Sequence, residues 1–170
     1  MKQITRLVDA VSSYMQLISG LLLVSMMVTV LLDVTSRALF RMTDGGLDLT
    51  FIGGIELIKF GLLFTVLFAL PYCVDKSQVV VDLFTEKLTD PKKAFLESIY
   101  FVGYAVLGTG MTIRFYHAIG NAAMSGETTQ DLLIPMNYIY VLTTFATAVL
   151  AIRSLLVAKQ RLCTAMGYKA

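Results

Sequence analysis

Four charged residues lie in segments that are otherwise apolar enough to cross a membrane. Asp33 and Arg37 are four residues apart at the end of one such segment, and Glu56 and Lys59 are three residues apart in the next. Charges inside hydrocarbon are costly, so they either pair within protein or mark a path for ions, protons or substrate. The four residues therefore predict one of these two chemistries.

Ionic contact is the favoured interpretation. Antiparallel neighbouring helices place all four residues at similar depth, so we expect Arg37 to pair with Glu56 and Asp33 with Lys59. These contacts would lock helices together or fasten this chain to another subunit. A translocation path remains the alternative, but it requires a carboxylate near the middle of the membrane and a broken helix around a cavity. The sequence shows neither clearly.

Four charge-free runs, at 10–32, 60–74, 98–113 and 132–152, predict the helices that position these residues. The chain of 170 residues is 56% hydrophobic and 15% charged, with a mean hydropathy of +0.73. Because a spanning helix needs about 20 residues, the two shorter runs must extend into their flanks. The prediction is one all-α membrane domain, residues 1–170, with transmembrane helices at about 11–38, 47–73, 91–116 and 132–156.

A short amphipathic helix at the membrane surface is predicted between helices two and three, at about 79–89. Its apolar residues recur at helical spacing, with charged residues on the other side. An extension of a neighbouring helix into water is the alternative. Asp90 and Pro91 then begin helix three, as a capping residue and a first helical residue.

The distribution of lysine and arginine predicts that both termini are cytoplasmic. The N-terminus, the loop between helices two and three and the C-terminal tail carry ten of these residues, whereas the other two loops carry three. Positively charged loops stay in the cytoplasm. Loops 38–50 and 115–131 therefore face outward. The first run is longer than the core of a cleavable signal, so we expect it to be retained.

The outward loops contain the candidate contacts for a soluble partner. The segment "GETTQDLLIP", Gly126 to Pro135, predicts a polar turn in which Thr129 or Asp131 caps helix four. Exposure also makes this loop a possible docking surface. The charged candidates for docking are Arg41, Asp44, Asp48, Glu127 and Asp131.

Several kinds of chemistry have no matching pattern. The sequence lacks a nucleotide-binding P-loop, and His117 is its sole histidine, whereas a haem anchor with two histidine ligands needs a second. Cys73 and Cys163 both fall on the predicted cytoplasmic side, where a structural disulfide is not expected. We expect no metal, no cofactor, no enzyme activity and no nucleic-acid partner.

The order of several segments resembles the DctQ family, the small permease subunit of tripartite ATP-independent periplasmic (TRAP) transporters. The resemblance covers about Val11 to Leu156. It rests on "DVTSRALF" at the end of helix one, Glu56 early in helix two, "VVVDLFTEKL" after that helix and "GETTQDLLIP" before helix four. The chain lacks the tryptophan that members commonly carry, and Gln78 stands where many have histidine.

This resemblance implies an accessory scaffold subunit in contact with membrane lipids. Such a subunit pairs with a large elevator-type permease subunit, which holds the sodium and substrate sites. It also helps to dock a periplasmic substrate-binding protein that delivers an organic acid, such as a C4-dicarboxylate or sialic acid. The alternative function is a self-sufficient four-helix secondary transporter acting as a homodimer, which would require a carboxylate in helix one. Residues 10–32 contain none.

Overall fold

Four α-helices make up the computed structural model, which describes residues 2–43, 46, 53–76 and 90–165. Helix α1 spans Lys2–Met42, α2 spans Gly54–Lys76, α3 spans Asp90–Ser125 and α4 spans Met136–Ala165. Each contains a stretch long and apolar enough to cross a membrane. Within the described ranges there is no β-strand, only an isolated bridge between Thr128 and Pro135. The prediction of an all-α fold with four such helices is confirmed.

Some predicted features lie outside the described residues. They are the amphipathic helix at 79–89 and the docking candidates Asp44 and Asp48. The cytoplasmic location of both termini stays a prediction.

Helix α3 begins at Asp90, as predicted, but the end of α3 and the start of α4 differ from the predicted residues. Helix α3 continues nine residues past Tyr116 and ends where Gly126, at φ 66°, donates its N–H to the carbonyl of Ala122 at 3.1 Å. A glycine in this left-handed conformation is a common helix terminator. Helix α4 begins at Met136 instead of about 132, because Pro135 has no N–H and disfavours a helical residue before it.

Helix α4 is the centre of the bundle. Half of the residues in its apolar window are buried, compared with 11% for α1. Helix α3 packs closely along α4 at Gly108, where an added Cβ would lie 3.1 Å from the backbone nitrogen of Ala151. One turn further on, the hydroxyl of Thr112 lies 3.1 Å from that of Thr147. Small residues of this kind allow membrane helices to approach closely.

Helix α1 contacts α2 along one narrow seam. Its buried residues Ser12, Met15, Ser19 and Met26 repeat at intervals of three, four and seven, as in coiled coils. The hydroxyl of Ser19 donates a hydrogen bond to the carbonyl of Thr65 on α2, at 2.8 Å. The rest of the α1 surface is mostly exposed apolar side chains, as expected of a helix that faces lipid or another subunit.

Helix α2 packs against both α1 and α4. One buried apolar cluster joins it to α1 and α4 through Met15, Leu67 and Ala146. A second cluster joins α2, α3 and α4 near the chain termini, and its members are Val74, Phe101, Leu150, Val157 and Ala158. The two clusters hold α2 so that its first turn lies beside the loop between α3 and α4.

Candidate functional site at Glu56

The carboxylate of Glu56 binds the backbone of the α3–α4 loop, which comprises residues 126–135. Its Oε1 accepts the N–H of Gln130 at 2.9 Å, and its Oε2 accepts the N–H groups of Asp131 at 3.0 Å and Leu132 at 2.8 Å. Successive backbone N–H groups that converge in this way form an anion-binding nest. Hydrogen bonds to an ionised acceptor are stronger than neutral ones. Glu56 therefore ties the first turn of α2 to this loop.

A glycine allows the loop to lie this close to α2. Gly53 precedes α2 with φ 92°, and a Cβ there would lie 2.7 Å from a side-chain methyl carbon of Leu132. Any other residue would meet both an unfavourable backbone conformation and a clash. The approach of the loop to Glu56 therefore depends on Gly53.

The loop is also closed by its own hydrogen bonds. Thr129 donates its N–H to the carbonyl of Ile134 at 2.9 Å, and its hydroxyl accepts the N–H of Ile134 at 3.0 Å. Met136 donates its N–H to the carbonyl of Glu127 at 2.9 Å. The prediction that Thr129 or Asp131 caps α4 is therefore wrong, since α4 begins only at Met136 and the Thr129 hydroxyl accepts the N–H of Ile134 within the loop.

Leu133 has an unusual conformation at the end of this loop. Its φ is 54°, in the left-handed region that costs most L-residues roughly 1–2 kcal/mol. The side chain is 68% exposed. The closed loop thus presents an apolar side chain to its surroundings on a constrained backbone.

The other predicted charges pair differently from expectation. Arg37 Nε lies 3.0 Å from Asp33 Oδ2 on the same helix, because residues four apart are neighbours on a helix surface. The predicted pair of Arg37 with Glu56 is wrong, since loop amides occupy the Glu56 carboxylate. The predicted pair of Asp33 with Lys59 is also wrong, since the Lys59 ammonium lies 5.3 Å from the centre of the Phe60 ring.

Three of the docking candidates have a described position. Arg41 is exposed in the last turn of α1, and Glu127 and Asp131 are exposed on the α3–α4 loop. Glu127 and Asp131 therefore share the loop that Glu56 holds in place. Their role in docking stays a prediction.

Sequence analysis missed two ion pairs at the opposite end of the bundle. Arg153, which is buried on α4, lies 2.6 Å from Asp9 on α1, and Arg161 on α4 lies 3.4 Å from the buried Glu97 on α3. The signal was present, because Asp9 and Arg153 border charge-free runs at the same predicted membrane face. Arg153 and Arg161 contributed only to the predicted orientation of the chain in the membrane.

The described part of the chain contains no cluster of three or more histidine, cysteine or acidic side chains that could hold a metal ion. His117 is exposed and contacts the ring of Tyr116, while Cys73 and Cys163 are free thiols. The best-defined polar site among the described residues is therefore Glu56 with its loop.

A protein-family model matches residues 26–164, and its description is "Tripartite ATP-independent periplasmic transporters, DctQ component". The chain belongs to the DctQ family. The match includes Glu56, the α3–α4 loop, all of α2 and α3, nearly all of α4 and the second part of α1 from residue 26. Comparisons with curated proteins and with solved structures found no match.

Membership of the DctQ family confirms the resemblance found in the sequence. It identifies the chain as the small permease component of a TRAP transporter and thus as a transport protein of a membrane. A tripartite transporter implies two partners, a large permease subunit and a periplasmic binding protein.

Proposed function

We propose that this DctQ-family chain is a scaffold that stabilises the large permease subunit of a sodium-coupled importer of organic acids. A C4-dicarboxylate or a sialic acid is the proposed substrate type. Sodium and substrate bind to the large subunit, and this chain contributes a fixed surface. The chain lies in the bacterial inner membrane with both termini in the cytoplasm, which the lysine and arginine distribution supports.

The observation that carries this proposal is the hydrogen bonding of Glu56. An ion-translocating carboxylate must exchange its ligands, whereas Glu56 is held by three backbone amides of its own chain. The described helices also run without a break through their apolar windows, unlike the interrupted helices of many transport sites. Both features favour a static support over a transport path.

The α3–α4 loop also helps to dock the periplasmic binding protein. Glu56 and the bonds within the loop fix its backbone before a partner arrives, which lowers the ordering cost of association. Exposed Glu127 and Asp131 supply charge, and exposed Leu133 supplies an apolar contact. The rigid α3–α4 loop is then the contact of this chain with the periplasmic binding protein.

Reconstitution in liposomes tests the proposal. The large subunit is incorporated with or without this chain, and uptake of the organic acid is measured with the binding protein outside and a sodium gradient inward. Uptake should require both membrane subunits and the sodium gradient. Uptake by this chain alone would overturn the scaffold function in favour of a self-sufficient transporter. Full uptake by the large subunit alone would also overturn it.

Charge reversal tests the docking role separately. Glu127→Lys and Asp131→Lys should raise the concentration of binding protein needed for half-maximal uptake without lowering the maximum rate. The matched control is Arg114→Glu, which reverses an exposed charge on α3 away from the loop. An unchanged concentration requirement in both loop variants would show that docking lies on the large subunit.

A further inference from the structure

An open groove of about 690 Å³ runs along α1 beside α2. Its α1 residues extend from Ser13 to Ser25, a length of about 18 Å within the charge-free run of that helix. The groove is lined by Ser13, Gln16, Leu17, Gly20, Leu21, Val24 and Ser25 of α1 and by Tyr72 of α2. It is therefore a mostly apolar surface at membrane depth with a few polar groups.

The small size of Gly20 has no explanation within the described chain. An added Cβ at Gly20 would have no atom within 4 Å, whereas at Gly61 it would clash with Met26 and at Gly108 it would press on Ala151. The latter two glycines allow helices of this chain to pack closely. Since small residues allow membrane helices to approach each other, Gly20 leaves room for a helix that is not in this chain.

Gln16 provides an independent sign of an outside partner. Its side-chain oxygen is buried and accepts no hydrogen bond from the described residues. The groove hydroxyls of Ser13 and Ser25 are already bonded to carbonyls of their own helix. An amide without a partner is costly in hydrocarbon. Because this oxygen is enclosed by its own chain, it meets a donor of another helix only when the side chain turns into the groove that Gln16 lines, and a lipid chain offers no such donor.

We propose that this groove binds one transmembrane helix of the large permease subunit, and that this helix places a polar side chain against the amide of Gln16. The inference rests on the proposed scaffold function and assigns the face of the chain that performs it. Helix α1 suits the role because only 11% of its apolar window is buried by its own chain. The occupant packs its backbone over Gly20, between Leu17 and Val24.

A pair of glycine substitutions tests this assignment. Gly20→Leu fills the groove, and Gly103→Leu is the matched control, because Gly103 of α3 is also exposed with no atom within 4 Å of an added Cβ. Each variant is co-expressed with the tagged large subunit, and the amount recovered with it in mild detergent is measured. Gly20→Leu should lower recovery at least tenfold, and Gly103→Leu should leave it unchanged. Equal recovery of the two variants would overturn the assignment.

Gln16→Leu gives a second test, because it should weaken association with the large subunit without lowering the thermal stability of this chain alone. Removing an unpaired polar group should leave the isolated subunit at least as resistant to heat in detergent. Loss of one hydrogen bond between helices should weaken association with the large subunit about threefold. Unchanged association would show that the amide of Gln16 has no partner in the large subunit.

A photoreactive amino acid in place of Leu17 identifies the occupant directly, because this side chain lines the groove and is 70% exposed. The expected product in membranes is a covalent adduct with the large subunit. Adducts only with lipid, or only with a second copy of this chain, would overturn the proposal. If wild-type chain recovers the large subunit but these tests fail, the scaffold function stands without the groove. If wild-type chain recovers none, the scaffold function itself fails.

Discussion

The loop that Glu56 holds should lose its protection from hydrogen exchange when the carboxylate is changed. Three amides, those of Gln130, Asp131 and Leu132, donate to its two oxygens over 2.8–3.0 Å. Glu56→Ala removes all three bonds. In Glu56→Gln, one oxygen becomes an NH₂ group that cannot accept, so at most two of the three bonds persist. Hydrogen exchange at these three amides should therefore be faster in Glu56→Ala, which loses all three bonds, than in Glu56→Gln.

The magnitude follows from the kind of bond removed. Hydrogen bonds to charged groups are the stronger class, and loss of one should speed exchange of its amide on the order of tenfold. The Leu132 bond is partly buried, whereas the other two are exposed to water that can replace the carboxylate. We expect the largest increase at Leu132, in hydrogen–deuterium exchange of the purified chain in detergent.

Chemical rescue separates the lost anion from lost packing. Acetate or formate added to Glu56→Ala should re-enter the nest of amides and restore part of the protection, while chloride at equal ionic strength should restore less. Amides of Ile139 and Thr143 inside α4 serve as internal controls and should not change. Wild-type exchange rates at residues 130–132 in Glu56→Ala would refute the conclusion that the carboxylate fixes this loop.

Three further substitutions test the packing of the bundle by thermal unfolding in detergent. Asp9→Ala should destabilise the chain by about 2 kcal/mol, because it leaves the buried guanidinium of Arg153 without its carboxylate. Recovery of stability on adding Arg153→Leu would confirm that cause. Unchanged stability of Asp9→Ala alone would contradict it. Phe101→Ala should cost about 3–5 kcal/mol, since its side chain is fully buried between helices, and a loss below 1 kcal/mol would contradict the core position. Gly108→Leu should separate α3 from α4 and lower the unfolding temperature. The control Gly110→Leu adds a side chain in open space and should leave that temperature unchanged. Equal effects of the two variants would argue against close packing at Gly108.

The helices were predictable because their signal is local and repeated. Long charge-free runs require spanning helices wherever they occur, and four runs gave four helices. The helix ends depended on single residues. Gly126 ends α3 through a left-handed conformation. Helix α4 begins only after Pro135, so the prediction from the apolar run 132–152, which includes Pro135, placed its start too early.

The partner of Glu56 was not predictable in the same way. An opposite charge at similar depth is the partner that a sequence suggests for a carboxylate, and Arg37 was the predicted one. The actual donors are backbone N–H groups, which every residue except proline carries and which therefore leave no mark in the sequence. The turn of the backbone at residues 130–132 makes them converge on the carboxylate.

The environment of Glu56 also bears on how charges within membrane segments are interpreted. A carboxylate within a membrane segment suggests transport chemistry by default, yet here each backbone donor belongs to the chain itself, and the carboxylate fixes the α3–α4 loop. The two ion pairs at the other end, Asp9 with Arg153 and Glu97 with Arg161, likewise join helices of one chain. Gln16 also has a buried oxygen without a donor among the described residues, but it lines an open groove on α1, which makes that groove suited to a second subunit.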